Sequence, residues 1–311
     1  GDITVRWNIN HISIRPLKGI RMERRNRSAW TGGAIPLGKG SCMKYKLLVL
    51  DIDGTLTNEK KEITRHTKQT ILRMQKAGVK VVLASGRPAY GVVPTARELE
   101  LEQYGGFILS YNGGRIVDCS TGRTIYEKTI PHKLMGGIYG QVHDLDAALM
   151  TYEGDRIITE KPQDAYVAKE SFINKMKVKG VGNFLDYVTF PVVKCLVAAD
   201  GGYLEAVEDK LKGYFGSQLS IFRSEPYFLE IMPKDIDKAS SLERLRLQLG
   251  LERAEIAACG DGLNDISMIQ YAGLGIAMAN AQEAVKRVCD FVTKSNEEEG
   301  VAYAIDRFIL G

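Results

Sequence analysis

Short apolar runs that end in polar, glycine-bearing turns recur after Met43, with amphipathic stretches between them. Lys46–Ile52 is the first such run and leads into Asp53-Gly54-Thr55. A run of this length, bounded by a turn, predicts a buried parallel strand. Ile63–Ala77 places Ile71, Leu72, Met74 and Ala77 at helical spacing, and Gly78 follows as a stop. Val79–Ala84 predicts a second strand that ends at Ser85-Gly86-Arg87-Pro88. A helix is expected over Val92–Leu101, and a third strand over Phe107–Ser110 ends at Asn112-Gly113-Gly114. Strand and helix in alternation imply right-handed crossovers and a parallel sheet, whose carboxyl edge is where ligands bind.

The pattern then changes. A hairpin is expected from Arg115–Val117 and Thr124–Lys128. A mixed stretch follows, with helices near Lys133–His143, Ala168–Lys177 and Tyr203–Tyr214. Its strands fall near Ala147–Tyr152, Arg156–Thr159, Val193–Ala198, Leu219–Arg223 and Phe228–Ile231. From Ser240 the first rhythm resumes. A helix runs to Leu249, a strand at Ile256–Cys259 ends at Gly260-Asp261-Gly262, and a helix covers Asp265–Tyr271. Strands at Leu274–Met278 and Phe291–Thr293 and helices at Ala281–Val288 and Gly300–Ile309 complete the chain. The expected fold is α/β: a Rossmann-like parallel sheet with helices on both faces, plus an inserted smaller α+β domain. The expected division is a core of residues 43–127 and 228–311 around an insert of residues 128–227, with 1–42 as a basic extension.

Charge changes the picture only at the N-terminal end. Residues 1–42 hold eight Lys/Arg against two acids, so the net +4 of the 311 residues leaves the remainder at −2. The first 42 residues show no sustained periodicity and no apolar signal-peptide core. They read as an extension without a fold of its own, or as sequence ahead of a start at Met43. A nucleic-acid-binding arm rests on charge alone, so no nucleic-acid partner is expected. No stretch approaches the roughly 18 apolar residues that span a bilayer, so no membrane is expected either. The five cysteines are scattered and form no C-x-x-C, which suits reduced thiols in a cytoplasmic enzyme. The four histidines form no metal-binding pattern.

Chemistry concentrates where the core strands end. Asp51 and Asp53 flank the turn after the first strand. Two acids this close repel unless a cation lies between them, and Mg²⁺ pairs with one or two carboxylates plus phosphate. Gly54 lets backbone N–H groups approach a phosphate. Ser85 and Gly86 offer a hydroxyl and free N–H groups at the end of the second strand, although a helix cap is the plainer reading of that loop taken alone. Lys238, beside a helix start, can neutralise phosphate and keep neighbouring carboxylates ionised. Asp261 and Asp265, in Gly260-Asp261-Gly262-Leu263-Asn264-Asp265, can bind or orient a metal, and Asn264 offers an amide to phosphate. This cluster exceeds what capping a helix requires.

Over Met43–Gly311 the motifs D-I-D-G-T-L, A-S-G-R-P, Y-N-G-G, a Lys before a helix, G-D-G-L-N-D, G-I-A-M-A-N-A and T-K-S-N-E-E-E-G-V-A resemble the haloacid dehalogenase superfamily. The Cof-type phosphatases, with a cap inserted after the third core strand, are the most similar branch. The chain departs at Ala239 and Ala279, where that family commonly has glycine. The resemblance implies a phosphoric monoester hydrolase with Asp51 as nucleophile and Asp53 as acid/base. Gly54, Ser85, Gly86, Lys238 and Asn264 would hold phosphate. Mg²⁺ would be bound by Asp51, Asp53 through its carbonyl, and Asp261, with Asp265 completing or orienting the shell. The expected substrate is a small phosphorylated metabolite, sugar phosphates first, with no obligate protein partner. A phosphomutase or other phosphotransferase of the same superfamily is the enzymatic alternative, and a noncatalytic phospho-ligand sensor the other. Cap aromatics such as Tyr152, Tyr166, Phe172 and Tyr187 read mostly as packing, and Lys169 or Lys175 as candidates to meet an anionic substrate.

Overall fold

A computed structural model of the chain describes residues 43–311. The basic segment 1–42, and the expectations placed on it, lie outside these residues.

The first half of the core runs β1 (Leu47–Leu50), α1 (Arg65–Lys76), β2 (Lys80–Ala84), α2 (Ala89–Glu98), α3 (Leu101–Tyr104), β3 (Phe107–Ser110), β4 (Arg115–Asp118) and β5 (Arg123–Glu127). The inserted part runs α4 (His132–Val142), β6 (Ala148–Glu153), β7 (Arg156–Thr159), α5 (Ala165–Asn174), β8 (Lys177–Gly180), α6 (Phe184–Tyr187), β9 (Cys195–Ala198), α7 (Gly201–Phe215), β10 (Leu219–Glu225) and β11 (Phe228–Pro233). The chain then returns to the core with α8 (Lys238–Leu249), β12 (Ile256–Gly260), α9 (Ile266–Tyr271), β13 (Leu274–Ala277), α10 (Glu283–Lys286), β14 (Phe291–Val292) and α11 (Gly300–Ile305).

The core sheet has the order β14-β13-β12-β1-β2-β3-β4-β5, parallel except for the β3-β4-β5 edge. All four residues of β1 are buried, as helices on both faces of a parallel sheet require. From β1 the chain crosses to β2 on one side, and from β12 it crosses to β13 on the other. The order therefore reverses between β1 and β12, the point at which an open α/β sheet leaves a crevice beyond its strand ends.

The second sheet has the order β10-β11-β9-β6-β7-β8 and is antiparallel except for β7-β8. Side chains alternate across it, as strand geometry demands. Leu149, Cys195, Val197, Leu229 and Ile231 pack with Ile138 of α4 and Leu204 and Leu211 of α7. Met150, Leu196, Ala198 and Phe228 pack with Val167 of α5.

The expected boundary at residue 228 is corrected. β11 pairs with both β10 and β9, so residues 228–233 belong to the second sheet. An apolar run fits either sheet equally well, and the hairpin from β10 decides its partner. The helix expected to reach Lys177 ends at Asn174, because Lys175 takes a left-handed conformation, φ 53°, and the separate strand β8 follows.

Candidate active site

The crevice between β1 and β12 collects most of the acids marked from sequence. Leu50 and Cys259 are in register as neighbours, so Asp51, the residue after β1, and Asp261, the residue after β12, leave adjacent strand ends together. Gly54 takes φ +81°, and a methyl group there would collide with the Asp261 carboxylate. The loop after β1 can thus close onto the loop after β12 only with glycine at this position. Thr55 fastens the same approach by donating its hydroxyl to Asp261 Oδ1 at 2.7 Å.

Lys238, the first residue of α8, reaches into the crevice from behind. It is 1% exposed. Its Nζ donates to Asp51 Oδ1 at 2.7 Å, to Asp265 Oδ1 at 2.6 Å and to the Ala84 carbonyl at 2.8 Å, which uses all three ammonium protons. The other oxygen of Asp265 accepts the backbone N–H groups of Asp261 and Gly262, both at 3.0 Å. Asp265 therefore fixes both the lysine and the loop that presents Asp261.

Asp51, Asp261 and Asp265 bring one oxygen each to within 4.8 Å of one another. A single lysine does not balance three carboxylates. Burial, reinforced by Asp265, pushes the Asp51 carboxyl well above its usual range despite Lys238. Burial raises Asp261 to about 6, against the Thr55 hydrogen bond that lowers it. Excess negative charge on an all-oxygen donor set fits a hard divalent cation such as Mg²⁺.

Asp53 faces another way. Arg87 grips it with Nε on Oδ2 at 2.8 Å and Nη2 on Oδ1 at 2.6 Å, and Lys61 Nζ adds a contact to Oδ1 at 3.0 Å. Partial burial favours the neutral carboxyl, but Arg87 and Lys61 together outweigh it and hold Asp53 below its usual range.

The loop after β2 is folded against the loop after β3. Asn112 N–H donates to the Ser85 carbonyl and Tyr111 N–H to the Arg87 carbonyl, both at 3.0 Å. Tyr111, Asn112 and Gly113 are all left-handed, φ 53°, 54° and 105°. Such a run is costly and is held here by those hydrogen bonds. Asn264 Nδ2 donates to Asn112 Oδ1 at 3.0 Å and ties in the loop after β12.

The sequence profile of the haloacid dehalogenase-like hydrolases matches residues 48–305. The chain belongs to that family. It is a phosphatase of the haloacid dehalogenase superfamily. A haloacid dehalogenase-like hydrolase from Bacteroides thetaiotaomicron, known from its crystal structure, is 49% identical, with a TM-score of 0.83 over 85% of this chain and 99% of that one. The 5-amino-6-(5-phospho-D-ribitylamino)uracil phosphatase YcsE of Bacillus subtilis is 31% identical over 269 residues, 85% of this chain and 96% of that protein. A subclass IIB sugar phosphatase is 25% identical, with a TM-score of 0.71 over 85% of this chain and 98% of that one.

In this phosphatase a cleft of about 450 Å³ lies between the core loops and the second sheet. Asp51, Asp53, Ser85, Gly86, Asp261 and Asn264 line it. Lys238 and Asp265 lie beneath, in contact with Asp51 and with the Asp261 loop. Ser85 is buried, and its hydroxyl accepts the Arg87 N–H at 3.1 Å. The roles of Arg87 and Lys61 were not foreseen, although Arg87 stood inside a marked motif. Lys169 and Lys175 are not among the lysines of the cleft, which are Lys61 and Lys194. Lys169 instead lies over the Tyr227 ring at 3.6 Å. Phe172, read as packing, is 85% exposed. Lys194 and Glu230 also went unmarked. Their signal was a charge inside an apolar strand run, in V-V-K-C-L-V and F-L-E-I-M.

Proposed function

We propose that the enzyme is a Mg²⁺-dependent phosphatase of small phosphorylated metabolites, sugar phosphates first, and that it works through an aspartyl-phosphate on Asp51. The observation that carries this is Asp51 itself. It is a carboxylate at the base of a cleft, held by a buried lysine, with two further acids beside it.

Asp51 attacks phosphorus in line, and the leaving alkoxide departs on the opposite side. A carboxylate is a weak nucleophile, so positioning and charge screening supply most of the rate. Lys238 fixes the Asp51 oxygen that it touches. Ser85, Gly86 and the N–H groups around Gly54 cradle the phosphoryl oxygens, with Asn264 at the edge. Asp51, Asp261 and the Asp53 carbonyl would hold Mg²⁺, with Asp265 orienting the set. When bound, the ion supplies positive charge that screens phosphoryl oxygens from the attacking carboxylate. Asp53 protonates the leaving oxygen and then takes a proton from the water that opens the aspartyl-phosphate. Its first task needs a proton that Arg87 and Lys61 oppose, so both cations must turn toward the incoming phosphate and release it.

The second sheet covers this site as a cap, excludes bulk water and contacts the leaving group. A cleft of about 450 Å³ suits a small metabolite. One relative's name specifies a phosphorylated ribityl compound and one neighbour is described as a sugar phosphatase, which supports the same substrate class.

Phosphate release from a panel of sugar phosphates, with and without Mg²⁺, tests the proposal. Release that requires the metal is expected. Full turnover after exhaustive chelation contradicts it.

A further inference from the structure

The face of the second sheet that covers the cleft carries two buried charges where packing alone would place apolar groups. Glu230 lies on β11 beside Leu196 of β9, and Lys194 directly precedes β9. Glu230 is 5% exposed and Lys194 is 3% exposed. Lys194 Nζ donates to Glu230 Oε1 at 3.2 Å and to the carbonyl of Gly86, in the phosphate loop, also at 3.2 Å. Glu230 is thus two hydrogen bonds from the loop that cradles phosphate. Its other oxygen, Oε2, is buried with no partner. An unpaired carboxylate oxygen at such a place costs stability and calls for a ligand.

The neighbours restrict that ligand. Glu170 of α5, 6% exposed, also lines the cleft and is held by the Tyr152 hydroxyl at 2.7 Å. Among the described residues, Lys194 is the sole cation that the second sheet and its helices contribute to the cleft, against Glu170, Glu225 and Glu230. This roof offers acceptors and carries net negative charge. Leu196 and Phe228 add apolar surface between the charges. Donors on the substrate, such as hydroxyl groups on a carbon frame, satisfy such a surface. A second phosphate would meet like charge there.

We infer that Glu230, with Glu170 beside it, determines specificity by accepting hydroxyl hydrogen bonds from the leaving group, and that the enzyme selects neutral polyhydroxylated monoesters over bisphosphates. The inference rests on the phosphatase reading above and sharpens its substrate class. Lys194 is a positioning residue. It aligns Glu230 and couples the roof to the Gly86 carbonyl.

The test compares kcat/KM for a hexose monophosphate, a hexose bisphosphate and phenyl phosphate, with Mg²⁺, in the wild type, Glu230→Gln and Glu170→Gln. Hydrogen bonds to charged groups predict that the monophosphate-to-phenyl ratio falls about tenfold or more in Glu230→Gln. The wild type should prefer the monophosphate over the bisphosphate by about tenfold or more, and either substitution should narrow that gap. Lowered thermal stability with both ratios unchanged would reduce Glu230 to a structural ion pair and overturn the inference. Wild-type preference for the bisphosphate would overturn it without any variant, so a variant that fails to fold does not protect it. Release of phosphate from none of the three substrates would instead sink the phosphatase reading.

Discussion

Arg87 and Asp53 are joined by two hydrogen bonds across 34 residues of sequence, Nε to Oδ2 and Nη2 to Oδ1. The pair sets the resting state of the proposed acid/base. Arg87→Ala should lower kcat/KM by about tenfold to a hundredfold, part of what a positioned acid/base contributes. It should also move the basic limb of the kcat/KM profile upward, because Asp53 must carry a proton when the leaving group departs and losing the guanidinium raises its carboxyl. Arg87→Lys should rescue only partly, since an ammonium cannot reproduce the two-point grip. An unshifted profile in Arg87→Ala would exclude this role.

Lys238 pairs with two buried acids at once. Lys238→Met should abolish turnover and cost about 3–5 kcal/mol, because it strands those carboxylates. Urea unfolding measures the cost. Mg²⁺ should restore part of the stability but not the activity. A stable variant with wild-type turnover would contradict the arrangement.

The raised carboxyls make stability depend on pH and metal together. Without metal, Asp261 stays protonated up to about 6, against 3.8 for an ordinary carboxyl. Between those values the folded chain binds more protons than the unfolded chain, so its stability falls as pH rises. Mg²⁺ competes with those protons and should stabilise more at about pH 7.5 than at about pH 5. Thermal melts with and without chelator check this. A Mg²⁺ effect independent of pH would mean that the cluster does not hold the ion.

Gly54→Ala should weaken Mg²⁺ affinity as well as turnover. It places a methyl group against the Asp261 carboxylate and a side chain at φ +81°, where an L-residue costs roughly 1–2 kcal/mol. Calorimetric Mg²⁺ titration of the variant should show the loss, and unchanged affinity would separate this glycine from the metal site.

Much of the core was legible because local chemistry decides it. Leu47–Leu50 and Ile256–Gly260 are apolar runs that only a buried strand satisfies, and the acids follow directly at their ends. The assignment of β11 was not legible, since its apolar residues suit either sheet and only its hairpin with β10 selects one. The partners of Asp53 were hidden for a similar reason. Nothing local distinguishes an arginine that reaches across 34 residues from one that lies in solvent. The buried Lys194–Glu230 pair is separated by 36 residues, and each charge alone looked like an interruption in a strand.

Asp51 as the atom donor to phosphorus is best tested by acid quench during turnover of a hexose monophosphate with Mg²⁺, followed by peptide mass mapping. One phosphoryl group on the peptide that contains Asp51, absent from Asp51→Asn, is the expected result. Rapid phosphate release with the phosphoryl group on another residue, or on none at any quench time, would contradict it.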